Sequence, residues 1–199
     1  AGTLSGSGTV TVTGLSSFTG VSTYMLETGS GTTDLQGGGV LSSGILALDG
    51  GRKLQNEGIF NWTGGSISLG QNPFGTSVGG ATIVNALGAT FNDAVAGTIN
   101  NGSGTNAFIN AGTFQTSFAS GTTTIGVTFN NTGSVQVGTG GTLNLSGGGT
   151  STGGSFTGGG TLQFSSGYTF DAASTISTAN AIFSAGTTTL AGKYSATNT

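Results

Sequence analysis

The chain has no cysteine and no histidine, a single proline, and only three basic and six acidic side chains among its 199 residues. Without cysteine or histidine, disulfide stapling, the usual zinc and haem sites, thiol nucleophiles and imidazole bases all fall away. Three cations against a net charge of −3 leave no basic patch for phosphates, so nucleic acid is not an expected partner. Six scattered carboxylates do not form the regular Asp-bearing turns of calcium repeats, and neither a metal nor a cofactor is expected. No apolar run reaches the 18 or so residues of a membrane span. Membrane insertion of this segment is therefore not expected either.

What remains is glycine, hydroxyl residues and scattered apolar groups. The chain holds 42 Gly, 24 Ser, 36 Thr and 12 Phe. Gly and Pro together make up 43 of 199 residues, below the roughly 25–30% that marks a low-complexity chain. Disordered chains are also charge-rich and poor in aromatics; with 5% charged and 34% hydrophobic residues, this one is expected to fold.

The local pattern is β throughout. Alternation of apolar with hydroxyl or amide residues recurs at Thr9-Val10-Thr11-Val12, Ile59-Phe60-Asn61-Trp62, Ser66-Ile67-Ser68-Leu69, Ser134-Val135-Gln136-Val137, Thr142-Leu143-Asn144-Leu145, Thr161-Leu162-Gln163-Phe164 and Tyr168-Thr169-Phe170. Helix formers are scarce and no 3.6-residue period persists, which excludes helix as a main element. The pieces also repeat. Gly141-Thr142-Leu143-Asn144-Leu145 returns 19 residues later as Gly160-Thr161-Leu162-Gln163-Phe164. An Asn-x-Gly motif before a strand occurs at Asn56, Asn110 and Asn131, with a looser copy at Asn85. A period near 20 argues for a solenoid before any globular fold.

These features predict an all-β fold, a right-handed parallel β-helix of roughly nine to ten coils of about 20 residues. Residues 1–199 would form a single elongated segment. Both ends read like the inside of a repeat, so the segment is expected to belong to a longer array. The same geometry accounts for the composition. Equivalent positions in successive coils lie ~4.8 Å apart, where like charges repel by about 1 kcal/mol even in water. Neutral Thr, Ser and Asn can form ladders there instead. Proline is disfavoured because it has no N–H to give to a ladder.

The phrases Gly2-Thr3-Leu4-Ser5-Gly6-Ser7-Gly8-Thr9-Val10-Thr11-Val12, Gly140-Gly141-Thr142-Leu143-Asn144-Leu145-Ser146-Gly147-Gly148 and Gly159-Gly160-Thr161-Leu162-Gln163-Phe164 resemble the degenerate repeats of large secreted bacterial proteins. These are the β-helical stalks of autotransporter passengers and filamentous-haemagglutinin-like adhesins. The resemblance runs over nearly the whole chain and is one of style. It implies a secreted or bacterial cell-surface fibre serving adhesion, biofilm cohesion or spacing, and brings no catalytic motif with it. The partners expected are neighbouring repeats or copies of the chain, stacked end to end, and host or matrix glycans. No helix or charged segment in the sequence blunts the ends, which favours head-to-tail stacking into filaments.

Chemistry beyond structure has few candidates. The densest polar cluster, Asp49-Gly50-Gly51-Arg52-Lys53-Leu54-Gln55-Asn56-Glu57, holds four of the chain's nine charges, Asp49, Arg52, Lys53 and Glu57, within nine residues. Asp49, Arg52 and Glu57, with Trp62 as a stacking platform, form a candidate glycan contact, and Asp49 with Glu57 a conceivable glycosidase pair. The plainer alternative is a charged loop between coils whose opposite charges offset one another. No enzyme activity is expected. Thr-x-Thr spacing at Thr9-Thr11-Thr13 and Thr187-Thr189 would suit ice binding only if it stayed in register over many coils. A polysaccharide- or ice-binding module therefore stands second to the structural reading, with a glycan-active enzyme behind it. Asn-x-Ser/Thr triplets at Asn61, Asn101, Asn130 and Asn144 match the glycosylation pattern, as a chain so rich in these residues would by chance.

Overall fold

In the computed structural model, which describes residues 2–20 and 23–199, the chain contains strands and turns and, among the described residues, no helix. The described residues wind into a parallel β-solenoid of about nine turns, with about 21 residues per turn. At ~4.8 Å per turn the stack is roughly 40 Å long. Each turn contributes three short strands, and like strands of successive turns pair into three ladders.

Ladder I begins with Gly2–Leu4, Tyr24–Glu27, Ile45–Leu48 and Ser66–Leu69, and continues through Thr98–Asn101, Gly121–Ile125 and Gly141–Leu145. Ladder II runs from Thr9–Val12 through Thr32–Leu35, Arg52–Asn56, Ala81–Asn85, Asn106–Asn110 and Thr128–Asn131 to Gly149–Ser151, Tyr168–Phe170 and Thr188–Leu190. Ladder III holds Ser16–Phe18, Gly39–Leu41, Ile59–Trp62, Thr90–Asp93, Thr113–Thr116 and Ser134–Val137, and closes on Lys193–Tyr194. The long strand Ser155–Phe164 passes from ladder III to ladder I around one corner. Its first residues pair with Ser134–Gln136 and its last with Thr142–Leu145, and Thr175–Phe183 follows it in the next turn.

Alternation decides what each turn buries. In ladder III, Phe60, Phe91 and Phe114 occupy one register column, and all three are fully buried. Their rings stack, with centroids 4.9 Å apart between Phe60 and Phe91 and 5.7 Å between Phe91 and Phe114. Strand spacing sets that separation, so a repeated Phe fills the core without a change of rotamer. Phe108 and Phe129 stack likewise in ladder II at 5.4 Å. In ladder I the inward column is Leu46, Ile67 and Ile99.

Two glycine positions show why the sequence needs so much of it. Gly44 and Gly65 turn corresponding corners at φ of 80° and 74°. A Cβ on Gly65 would sit 2.2 Å from the Gly44 carbonyl oxygen, so the corners stack closer than any side chain allows. Gly97 makes room for the core's largest side chain: a Cβ there would lie 2.2 Å from the Trp62 ring.

Both ends leave strands paired on one side only. Gly2–Leu4, Thr9–Val12 and Ser16–Phe18 have no earlier neighbour among the described residues, and Thr188–Leu190 and Lys193–Tyr194 no later one. Ile182, Phe183 and Tyr194 are half-exposed at the last turn. Asn198 pairs in parallel with Asn180 beside ladder I.

Candidate functional site

The structure disperses the polar cluster picked out in the sequence. Residues 52–56 form a ladder II strand and not a loop between coils, and they are paired on both edges. Arg52 shares inward parity with Leu54 and Asn56. Its side chain is 1% exposed and makes an interior ion pair with Glu27, Nε to Oε2 3.3 Å. Arg52 Nη2 also donates to the Thr33 hydroxyl at 2.6 Å, and that hydroxyl donates to Glu27. Asp49 is fully buried and binds backbone: its carboxylate accepts the N–H groups of Val78 at 2.9 Å and Gly79 at 2.7 Å. Trp62, also fully buried, donates its indole N–H to the Gly65 carbonyl at 3.3 Å and offers no ring face to a sugar. Of the four candidates only Glu57 lies at the surface, where it accepts from Gln55 Nε2 at 2.6 Å. The four do not converge on a ligand.

The Asn-x-Gly motif has a definite use. Asn56, Asn85, Asn110 and Asn131 end four successive ladder II strands in one column, and all four are buried. Asn56 Nδ2 donates to Asn85 Oδ1 at 2.9 Å, Asn85 to Asn110 at 2.8 Å, and Asn110 to Asn131 at 2.8 Å. The same Nδ2 groups reach backbone carbonyls at the corner: that of Asn110 contacts Gly112 at 3.3 Å and Ser134 at 3.0 Å. The column is an internal amide ladder that keeps corner carbonyls satisfied where the backbone leaves the sheet. A second ladder lies on ladder III's outer side, where Asn92 donates to Asn61 and Gln115 to Asn92, each at 3.1 Å.

The threonine rows are interrupted. The column through Thr11 runs on to Asp34, Gln55, Val84, Ile109 and Asn130 before hydroxyls resume at Thr150, Thr169 and Thr189. Thr122, Thr142 and Thr161 do align, but over three turns.

Two carboxylates are shifted in opposite directions. Burial raises Asp93 above the ordinary carboxylate range, although the Thr123 hydroxyl and the Val95 N–H, at 3.0 Å, both donate to it. Asp171 is held below that range, first by the Gly153 N–H at 3.0 Å and then by the Ser174 hydroxyl at 2.6 Å. Burial pushes the Tyr168 phenol up, and its hydroxyl donates to the Thr150 carbonyl at 3.1 Å. Among the described residues no three carboxylates gather to hold a metal ion.

A concave site lies on the outer side of ladder I. Between Leu69 and Ala81 the chain leaves the coil and returns, carrying the only proline, Pro73. Asp49 holds the segment's end through Val78 and Gly79, and Gly51 N–H closes on the Gly80 carbonyl at 2.6 Å. Its tip is an Asx turn in which the Phe74 N–H donates to Asn72 Oδ1 at 3.0 Å. Phe74 then lies edge-on to Tyr24, with ring centroids 6.1 Å apart.

Between this segment and the neighbouring turns lies a groove of about 540 Å³. Tyr24, Ile45, Ser66, Ser68, Gln71, Ser77, Asn100, Asn101 and Ser103 contribute to its lining. Tyr24, Ile45 and Ser66 are register partners in three successive turns, with Asn100 beside Ser68 in the turn after. Among the described residues, the side chains of Ser66, Gln71 and Ser103 have no protein hydrogen-bond partner. Among the described lining residues Tyr24 is the one ionisable group. Sequence reasoning passed over this site, and its only local signal is the break in the period around Pro73.

In comparisons with known proteins, no family model, curated protein or solved structure matches the chain.

Proposed function

We propose that this chain is a rigid structural segment of a secreted or cell-surface bacterial fibre or adhesin, stacking end to end with neighbouring repeats or with copies of itself. One observation carries the reading: the terminal turns keep free ladder edges beside half-exposed apolar side chains of the inward columns, Val10 at one end and Phe183 and Tyr194 at the other. Unpaired strand edges are templates for another strand, and a solenoid turn buries its apolar face only against the next. In this reading the chain is not an enzyme. Its work is to hold a length of roughly 40 Å with a neutral, hydroxyl-rich exterior.

Light scattering over a concentration series tests the stacking, with negative-stain imaging of the same samples. Rods that lengthen in unit steps support it; a single rod length at every concentration counts against it. Antibody raised to the folded segment tests location by labelling intact cells of the source organism. Signal confined to lysed cells would remove the surface-fibre reading.

A further inference from the structure

We propose that the groove beside the 70–80 segment is a binding site for a neutral oligosaccharide. This goes beyond the structural role and does not depend on whether the rod stacks. The lining of the groove sets the class of ligand. Ser66, Gln71, Asn100 and Ser103 offer hydroxyls and amides, each able to donate and to accept. A sugar ring presents the same mixture, hydroxyls that donate and accept, around an apolar C–H face. Among the described lining residues there is no cation to bind phosphate, sulfate or carboxylate and no carboxylate to bind an amine. A charged ligand would meet no counter-charge among the described lining residues.

Shape supports the same ligand class. Tyr24 and Ile45 give the groove an apolar patch, and Phe74 stands edge-on to Tyr24 at its side. An aromatic side chain with a polar tip suits a ligand that is apolar on one face and hydroxylated at its rim. The lining spans four successive turns, from Tyr24 to Asn100, about 14 Å at the strand spacing. That length accommodates a short chain of rings and exceeds a single one. The volume of about 540 Å³ lies within the range of small-molecule sites, roughly 300–1,000 Å³. The wall is also held in place before any ligand arrives, through Asp49, Gly51 and the Asx turn at Asn72. Such preorganisation lowers the entropy cost of binding.

The test uses the folded chain on a printed array of neutral oligosaccharides (glucan, mannan, xylan and chitin fragments) and acidic ones (oligogalacturonate, sialylated and sulfated glycans). Calorimetry then follows on the strongest hit. The expected result is binding confined to neutral glycans and weakened at least tenfold by Tyr24→Ala and by Gln71→Ala, with no change for Glu57→Gln. Phe74→Ala, at an exposed loop tip, provides a second variant should Tyr24→Ala fail to fold; it too is expected to weaken binding. No neutral glycan bound at millimolar concentration, a preference for acidic glycans, or affinity unchanged in Gln71→Ala and Phe74→Ala would each overturn the proposal.

Discussion

Asn85 donates its Nδ2 hydrogen to Oδ1 of Asn110, 2.8 Å away in space and 25 residues on in the chain. The contact repeats above and below, so each buried amide supports the next. Asn110 is bonded to amide side chains on both sides, whereas Asn131 meets one amide side chain, that of Asn110, beside its bonds with the Gly133 backbone. Asn110→Ala is expected to cost about 3 kcal/mol and Asn131→Ala clearly less, since each buried group left unsatisfied costs about 1–3 kcal/mol. Denaturant melts of the two variants measure the difference, and equal losses would refute a cooperative ladder.

The ion pair between Arg52 and Glu27 lies inside the solenoid. Arg52→Ala strands a buried carboxylate, and removing one partner of such a pair costs about 3–5 kcal/mol. Replacing both partners, Arg52→Met with Glu27→Leu, is expected to recover most of that loss. A double variant no better than the single one would show that the pair's charges are not what matters there.

Gly97 lies under the Trp62 ring. Gly97→Ala forces a methyl group into a filled core, and overpacking of that kind costs about 1–3 kcal/mol. The Trp62 emission maximum and the melting temperature should both shift. The second substitution Trp62→Phe should relieve the clash in part.

Asp93 and Asp171 should respond to acid in opposite ways. A carboxyl raised by burial disfavours the fold when ionised, a penalty present above its folded pKa and gone below the unfolded value. Asp93→Asn should therefore raise the melting temperature at pH 7, with the gain shrinking as the pH falls through the raised pKa. Asp171, held low by the N–H of Gly153, stabilises the fold above the unfolded carboxylate pKa and loses that contribution as the pH drops through its lowered one. Asp171→Asn should lower the melting temperature at pH 7 and matter less in strong acid. Melts of both variants from pH 7 to pH 2 check the two signs.

The strands were legible because their signal is local. The alternating pieces at Thr9–Val12, Ile59–Trp62, Ser66–Leu69 and Ser134–Val137 are strands of the structure, and the period near 20 matches the turns of about 21 residues. Parity within those strands also held the answer for the charged cluster. Arg52 alternates with Leu54, and Trp62 with Phe60, so both were bound to point inward; reading 49–57 as surface chemistry set that rule aside. The Asn-x-Gly repeat was visible, but its amide ladder depends on stacking register. The groove was the least accessible, because it joins Tyr24, the 70–80 segment and Asn100 from different turns. Asp49 and Gly79 are 30 residues apart in sequence, and nothing local announces their contact.

The scarcity of cations has a consequence for digestion. Trypsin cuts after lysine or arginine and needs an extended, accessible stretch of backbone. Arg52 is sealed in the interior, and Lys53 sits in a strand paired on both edges. Lys193, in the short strand Lys193–Tyr194 paired on one side, is the one accessible cleavage point. The folded rod should thus survive a protease that shreds most proteins, with a cut within these residues expected after Lys193 alone.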